Sequence, residues 1–375
     1  MKVLLCSPYL EGGNAGGIGS WTESILNHYN KQSHEDVSLE LFPLNRSEEM
    51  YAKEWNIWNR VLYGIKDYRK LLARFKVRLS QNYDIVHISS SASFGLIKDI
   101  LMLKIAQKQG AKTIVHFHFG RMSEVFDKRG WEYFLIKKVL KLASSVIVMD
   151  GKSYQVLNHN GYKNVINIPN PLPEKIFKEI QAVKDAGHQR VSNKILFVGQ
   201  VIPTKGCFEL IEAFKHLDSR FELDIVGMAI PEIKSEIEKK AGNCLNRIHF
   251  IGELKHEEVI RYFLTSTIFV LPTYTEGFPY VILESMACGC PIVSTNVGAI
   301  PEMLDIANGL GYGICVNPKE VEPLISAINQ MLLDPQYAAR CSINSKERVH
   351  SLYSIDRVWC MISETWKNVL INNPI

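Results

Sequence analysis

The stretch Pro272–Glu302 reads PTYTEGFPYVILESMACGCPIVSTNVGAIPE. An apolar run, Ile268-Phe269-Val270-Leu271, precedes it and is short enough to be a buried strand. A loop follows that carries Glu276 and Gly277. Pro279 suits a first helical turn, where its missing N–H costs nothing, and the spacing predicts a helix from about Tyr280 to Cys288 that stops at Gly289. Pro291–Ser294 reads as the next strand, and Gly298 with Pro301-Glu302 opens another loop and helix. Strand, helix, strand in this rhythm is the unit of a parallel α/β sheet.

That unit has chemical consequences. Glu276 stands on a loop at the carboxyl end of a strand, where open α/β sheets bind ligands. The N–H groups of Gly277, Phe278, Tyr280 and Val281 cluster at the helix start, which with the helix dipole favours an anion such as phosphate. Pro279 has no N–H and shapes the entry. Glu284 lies within the first two turns, on the face shared with Tyr280 and Val281. Two carboxylates for hydroxyl groups with an anion site between them suit a sugar nucleotide.

Upstream, Lys194–Val198 reads as a strand leading into Gly199-Gln200-Val201-Ile202-Pro203-Thr204-Lys205-Gly206 and a helix over 208–216. A lysine just before a helix start is placed to meet a phosphate.

The long phrase Glu276-Gly277-Phe278, Glu284, Met286-Ala287, Gly289, Pro291-Ile292 resembles the donor-site motif of retaining glycosyltransferases of family 4 (glycosyl transferases group 1). The resemblance implies the GT-B fold: α/β, with two Rossmann-like domains whose parallel sheets face a central cleft. It implies a metal-independent, hexosyltransferase-type enzyme. Such an enzyme moves a sugar, with retention, from a nucleotide-sugar donor (UDP-sugar favoured) to a glycan or lipid-linked acceptor in cell-surface polysaccharide biosynthesis. No metal and no other cofactor is expected, since no Asp-x-Asp pair is found to hold a metal on a diphosphate. By the same resemblance Glu276, His118 and Lys205 are the catalytic candidates. Glu284 would bind ribose hydroxyls, and Gly252 and Glu253 would border the base. Where the family has an arginine, this chain has Gln200, which removes one positive charge from the diphosphate site. Two readings from other classes share the architecture, a sugar-nucleotide epimerase and a non-catalytic sugar-nucleotide-binding protein.

The amino-terminal half opens on a buried strand, Val3–Cys6, then Glu11-Gly12-Gly13-Asn14-Ala15-Gly16-Gly17-Ile18-Gly19 and a helix from Trp21. No G-x-G-x-x-G fits there. In the resembled family, glycines matching Gly16 and Gly17 touch donor phosphates or the acceptor. A strand over Thr113–Phe119 ends in His116-Phe117-His118-Phe119-Gly120-Arg121. Alternation puts both histidines on one face. The family's sugar-contacting histidine fits His118 first and His116 second, and Arg121 could meet an acceptor phosphate. Val61, Ile65, Tyr68, Leu72, Phe75 and Leu79 form an apolar helical stripe, and Lys66, Lys70, Arg74 and Arg78 a basic stripe beside it. A basic amphipathic helix can lie on an anionic membrane.

A chain of 375 residues suits two domains, and 46% hydrophobic with 22% charged residues is globular composition. A net charge of +4 argues against a dedicated nucleic-acid partner. The eight scattered cysteines include Cys288-x-Cys290 without a second pair at zinc spacing. Reduced cysteines, no signal peptide and no apolar run of ~18 residues lead to a cytoplasmic expectation, with peripheral association at the inner membrane face. The expected organisation is a first domain over 1–170, a polar linker over 171–193, a donor domain over 194–354, and a terminal helix over 355–375 that crosses back and carries Trp359 and Trp366.

Overall fold

The computed structural model describes residues 1–9, 16–32, 36–45, 57–309 and 311–371. The chain divides into a first unit, Met1–Pro169 with Val358–Ile375, and a second, Asn170–Arg357.

In the first unit the elements run β1 (Lys2–Ser7), α1 (Gly16–Lys31), β2 (Ser38–Pro43), α2 (Ile57–Leu79), β3 (Ile85–Ser90), α3 (Gly95–Lys108), β4 (Lys112–Phe117), α4 (Met122–Lys128), α5 (Trp131–Leu142), β5 (Ser145–Val148), α6 (Gly151–His159) and β6 (Val165–Asn167). The sheet order is β2-β1-β3-β4-β5-β6, all parallel. Its four inner strands, β1, β3, β4 and β5, are buried along nearly their whole length, as helices on both faces require.

The second unit continues α7 (Glu174–Asp185), β7 (Lys194–Val198), α8 (Cys207–Lys215), β8 (Glu222–Val226), α9 (Pro231–Ala241), β9 (Ile248–Gly252), α10 (His256–Thr265), β10 (Ile268–Leu271), α11 (Tyr280–Cys288), β11 (Ile292–Thr295), α12 (Ile300–Met303), β12 (Ile314–Val316), α13 (Val321–Leu333) and α14 (Pro335–Leu352). Its sheet order is β12-β11-β10-β7-β8-β9, again parallel. The last helix, α15 (Ile355–Ile371), carries the chain back into the first unit. Val358, Trp359, Ile362, Trp366 and Val369 form its buried stripe. Trp359 meets His28 and Tyr29 of α1 at ring distances of 5.4 and 5.9 Å. Trp366 donates its indole N–H to His87 Nδ1 at 3.0 Å.

Residues 171–193 differ from their sequence reading, and residues 335–352 form a helix where that reading had none. Residues 171–193, expected as a linker, include α7, which buries Ile176 and Ile180 one turn apart. Arg190 Nη2 then donates to the Gly289 carbonyl at 2.9 Å, so this segment is built into the second unit. Helix α14 has no apolar stripe to announce it: its buried positions are Cys341, Ser345 and Val349, and its start is marked by Asp334 accepting from the Tyr337 N–H ahead of Pro335.

Of the expected stripe of α2, Phe75 and Leu79 are buried and Tyr68 and Leu72 half-buried, beside the buried Leu71. Phe75 meets Phe42 edge-on at 5.5 Å. Lys66, Lys70 and Arg74 are exposed, whereas Arg78 binds Glu40 at 2.7 Å. The side chains of residues 57–63 and 65, Val61 and Ile65 among them, lie outside the described set, as do residues Glu11–Ala15 of the glycine loop. Among the described residues no helix is long and apolar enough to cross a membrane.

Candidate functional site

From β7 the chain winds outward through β8 and β9, then returns to lay β10, β11 and β12 on the other side. The order therefore reverses between β7 and β10. Connections leave that pair of strands in opposite directions, and the gap outside their carboxyl ends is the natural binding crevice of such a sheet. The loops after β7 and β10 carry Lys205 and Glu276.

Those two loops are locked together by backbone. Tyr274 N–H donates to the Thr204 carbonyl at 2.8 Å, and the Thr273 hydroxyl to the same oxygen at 3.3 Å. Gly206 sits at φ +72, and a Cβ there would lie 2.0 Å from the Pro272 carbonyl oxygen. Only glycine permits this approach. Gly298, at φ +54, presses as closely on the carbonyl of Glu276 from the other side. The Tyr274 hydroxyl donates to Glu209 of α8. Asn170 is buried and donates to the Phe278 carbonyl at 3.3 Å, which gives it a holding role.

Within this frame Lys205 Nζ and Glu276 Oε1 form an ion pair, with side-chain exposures of 27% and 12%. Helix α11 begins at Tyr280 with Pro279 as its N-cap and ends on Gly289 in the left-handed conformation. The N–H groups of Tyr280 and Val281 have no preceding turn to accept them, while that of Ile282 reaches the Pro279 carbonyl at 3.2 Å. Phe278 is buried edge-on against Tyr353 at 5.6 Å, so its ring anchors the loop. The Tyr280 hydroxyl is covered and unpartnered; burial, then the nearby Glu284 charge, push its pKa up.

Glu284 is buried on α11. Its Oε1 lies 3.0 Å from His256 Nε2, and His256 Nδ1 lies 2.7 Å from Glu179 Oε2 of α7. One imidazole at the start of α10 thus bridges two carboxylates. Burial alone would lower the His256 pKa, but the hydrogen bonds and charges of Glu284 and Glu179 outweigh it and raise the value. The sequence reading missed this bridge. The Glu258 carboxylate accepts from the Lys255 N–H at 3.3 Å, which marks a helix start and places His256 in its first turn, but nothing in the spacing ties it to partners 28 and 77 residues away.

Of the other expected donor residues, Gln200 is exposed just past β7. Gly252, at φ +85, ends β9 and accepts from the Gly227 N–H at 2.8 Å, and Glu253 is exposed beyond it. These two stand two strands away from the Lys205 loop. Val281 is half-buried.

On the first unit, Gly16 and Gly17 open α1 and are exposed. Trp21, further along α1, is buried against His116 and His118 at 4.9 and 5.0 Å. The two histidine rings lie 4.0 Å apart. His116 is wholly buried with both ring nitrogens unpartnered, and the Nε2 atoms of His118 and His87 are likewise covered and unpartnered. Burial holds His87 and His118 down to about 3, with neighbouring His87 adding to the effect on His118. His116 is lowered by burial, then by His118 and His87. All three are neutral at physiological pH. His116 is therefore a core residue, while His118 lies just past the strand and is half-buried. Arg121 is engaged by Glu132 at 3.1 Å. Among the described residues no group of three or more His, Cys, Asp or Glu could hold a metal ion, and all eight cysteines are free.

Comparison with known proteins bears on both units. Residues 179–348 match the family model for glycosyl transferases group 1. An uncharacterized 41.2 kDa protein in the cps region of Klebsiella pneumoniae is 24% identical over 340 residues, covering 88% of this chain and 89% of that one. The capsular polysaccharide biosynthesis glycosyltransferase CapM of Staphylococcus aureus is 23% identical, covering 62% and 64% respectively. Among solved structures, HepE from Anabaena in complex with UDP aligns with a TM-score of 0.73 and 18% identity, over 98% of this chain and all of that one (100%). The fold is GT-B, and the match to the glycosyl transferases group 1 model lies within its second unit.

Proposed function

We propose that this chain is a retaining, metal-independent glycosyltransferase of family 4. In this reading it transfers a hexose from a nucleotide-sugar, UDP-sugar favoured, to a glycan or lipid-linked acceptor in cell-surface polysaccharide biosynthesis. The observation that carries the reading is the meeting of Lys205 and Glu276 outside β7 and β10, beside the open N–H groups of α11. The capsule-related similarity of CapM and the UDP bound in HepE support it.

The roles follow from charge. An entering diphosphate competes for Lys205 and takes up the α11 N–H groups, which stabilise the negative charge that grows on the leaving phosphate. Glu276, released from Lys205, is then free to accept hydrogen bonds from sugar hydroxyls and to offset positive charge at the anomeric carbon. Glu284 accepts from the ribose hydroxyls. The acceptor hydroxyl attacks from the leaving-group side: the new C–O bond forms as the bond to phosphate breaks, and the acceptor proton passes to the departing diphosphate oxygen. His118 offers a neutral imidazole to a sugar hydroxyl.

Release of free UDP from a UDP-sugar, measured with and without candidate acceptors, tests the reading. Acceptor-dependent release that drops ~100-fold or more in Lys205→Ala, the scale of losing a donor to developing charge, is expected. Conversion of UDP-sugar without acceptor and without release of free UDP would contradict a transferase and favour an epimerase.

A further inference from the structure

Helices α3 and α5 present the same exposed pattern. Beginning one residue before α3, Phe94, Ile97, Leu101, Lys104 and Lys108 step by three and four along one face; on α5 Trp131, Phe134, Lys138 and Lys141 do the same. The apolar members are unusually open: 67% for Phe94, 47% for Ile97, 41% for Leu101, 50% for Trp131 and 65% for Phe134. Both helices return from the carboxyl edge of the sheet toward its amino edge, so they run parallel. At their starts Phe94 and Trp131 stack at 4.6 Å. At their ends Gln107 Nε2 donates to the Leu142 carbonyl. The apolar ends therefore lie side by side, and so do the lysine ends.

The acids on the two helices are already engaged. Asp99 is buried with Lys98 and the Ser90 hydroxyl, and Glu132 holds Arg121 and the Ser93 N–H. The face is an apolar tip backed by a lysine band with no exposed carboxylate on either helix. From Phe94 to Leu101 the helix rises about 10 Å, and Lys104 to Lys108 lie about 5–10 Å further on. That profile matches the depth to which interfacial helices enter the acyl boundary, about 5–10 Å, with lysines reaching the phosphate level and Trp at the boundary. A second copy of this chain is a poorer occupant: a two-fold contact of the face with itself brings no carboxylate to the lysines.

We propose that the α3–α5 face docks the chain on an anionic lipid surface. Phe94, Ile97, Leu101, Trp131 and Phe134 enter the interfacial layer, and Lys104, Lys108, Lys138 and Lys141 meet headgroup phosphates. This surface is separate from the basic side of α2, whose Leu71, Phe75 and Leu79 are taken by the unit's own core. Its apolar end lies at the carboxyl edge of the first sheet, the edge that bears His118 and Arg121, so an acceptor carried on a lipid would arrive there. The docking does not depend on the transferase reading and is measured apart from it.

The test is co-sedimentation of the full chain with phosphatidylcholine vesicles, with and without phosphatidylglycerol. The wild type should bind the anionic vesicles preferentially. Phe94→Ser with Phe134→Ser, and separately Lys138→Glu with Lys141→Glu, should each weaken that binding at least about tenfold, with melting temperature and UDP binding unchanged. A blue shift of tryptophan emission on vesicle binding, absent from Trp131→Phe, supplies a readout that needs no other variant. The proposal is overturned if the wild type shows no preference for anionic vesicles or if both variants bind as it does. It is also overturned if the wild type is a dimer that the Ser variants dissociate and no vesicle binding is seen.

Discussion

Replacing His256 by alanine removes the bridge between Glu284 and Glu179. The imidazole is about a third exposed (35%), while the carboxylates are 11% and 17% exposed. A hydrogen bond to a charged group contributes about 1.5–3 kcal/mol when buried. Solvent screens this pair of bonds, so about 1–2 kcal/mol for the whole bridge is a fair discounted figure. The two carboxylates then face each other across the vacated space, which adds to the loss. For a unit of this size the melting temperature should fall by about 2–8 °C. The pH dependence carries the stronger test. The folded His256 pKa is raised, so its stabilisation is complete below the unfolded histidine value of about 6.5 and is lost as pH rises through the folded value. Melting curves of wild type and His256→Ala across pH should thus be farthest apart on the acid side and converge toward alkaline pH. A gap that is constant with pH, or no gap, would refute the charged bridge.

Gly206→Ala forces a left-handed backbone onto a residue with a Cβ, which costs about 1–2 kcal/mol, and drives that Cβ into the Pro272 carbonyl, 2.0 Å away. The variant should melt lower and bind UDP more weakly because Lys205 is displaced from Glu276; wild-type melting and binding would sink the loop-locking argument. Trp366→Phe keeps most of the buried ring but strands His87 Nδ1 beside an Nε2 that already lacks a partner. A loss of about 1–3 kcal/mol is expected, read as a lower urea midpoint for the first unit, and an unchanged midpoint would show that the bond contributes nothing.

Much of the second unit was legible because its signals are local. The apolar run before Pro272, the proline entry and Gly289 gave the bounds of α11, and the helix observed is Tyr280–Cys288. Lys205 and Glu276 were legible as residues of two strand-end loops, although only the sheet order makes those loops neighbours. What stayed hidden depends on distant partners. The His256 bridge and the Trp366–His87 bond join residues whose separation in sequence carries no pattern. Helix α14 was silent because its buried face is made of Cys, Ser and Val rather than a hydrophobic stripe. Periodicity marked α2 as amphipathic but does not say what an apolar face packs against; for Phe75 and Leu79 it is the unit's own core. The exposed ends of α3 and α5 were missed for the converse reason: Phe94, Ile97 and Trp131 look like core residues until the fold turns them outward.

The central claim is a nucleotide-sugar site at the carboxyl edge between β7 and β10. Thermal shifts of wild type and Glu284→Ala with UDP, GDP, ADP and their sugar conjugates address it directly. A nucleotide at 100 times its dissociation constant should add about 2.7 kcal/mol to the stability of the unit that binds it. The account predicts a rise in melting temperature with UDP and UDP-sugars that is lost in Glu284→Ala. No shift with any nucleotide, or a UDP shift that survives the substitution intact, would contradict it.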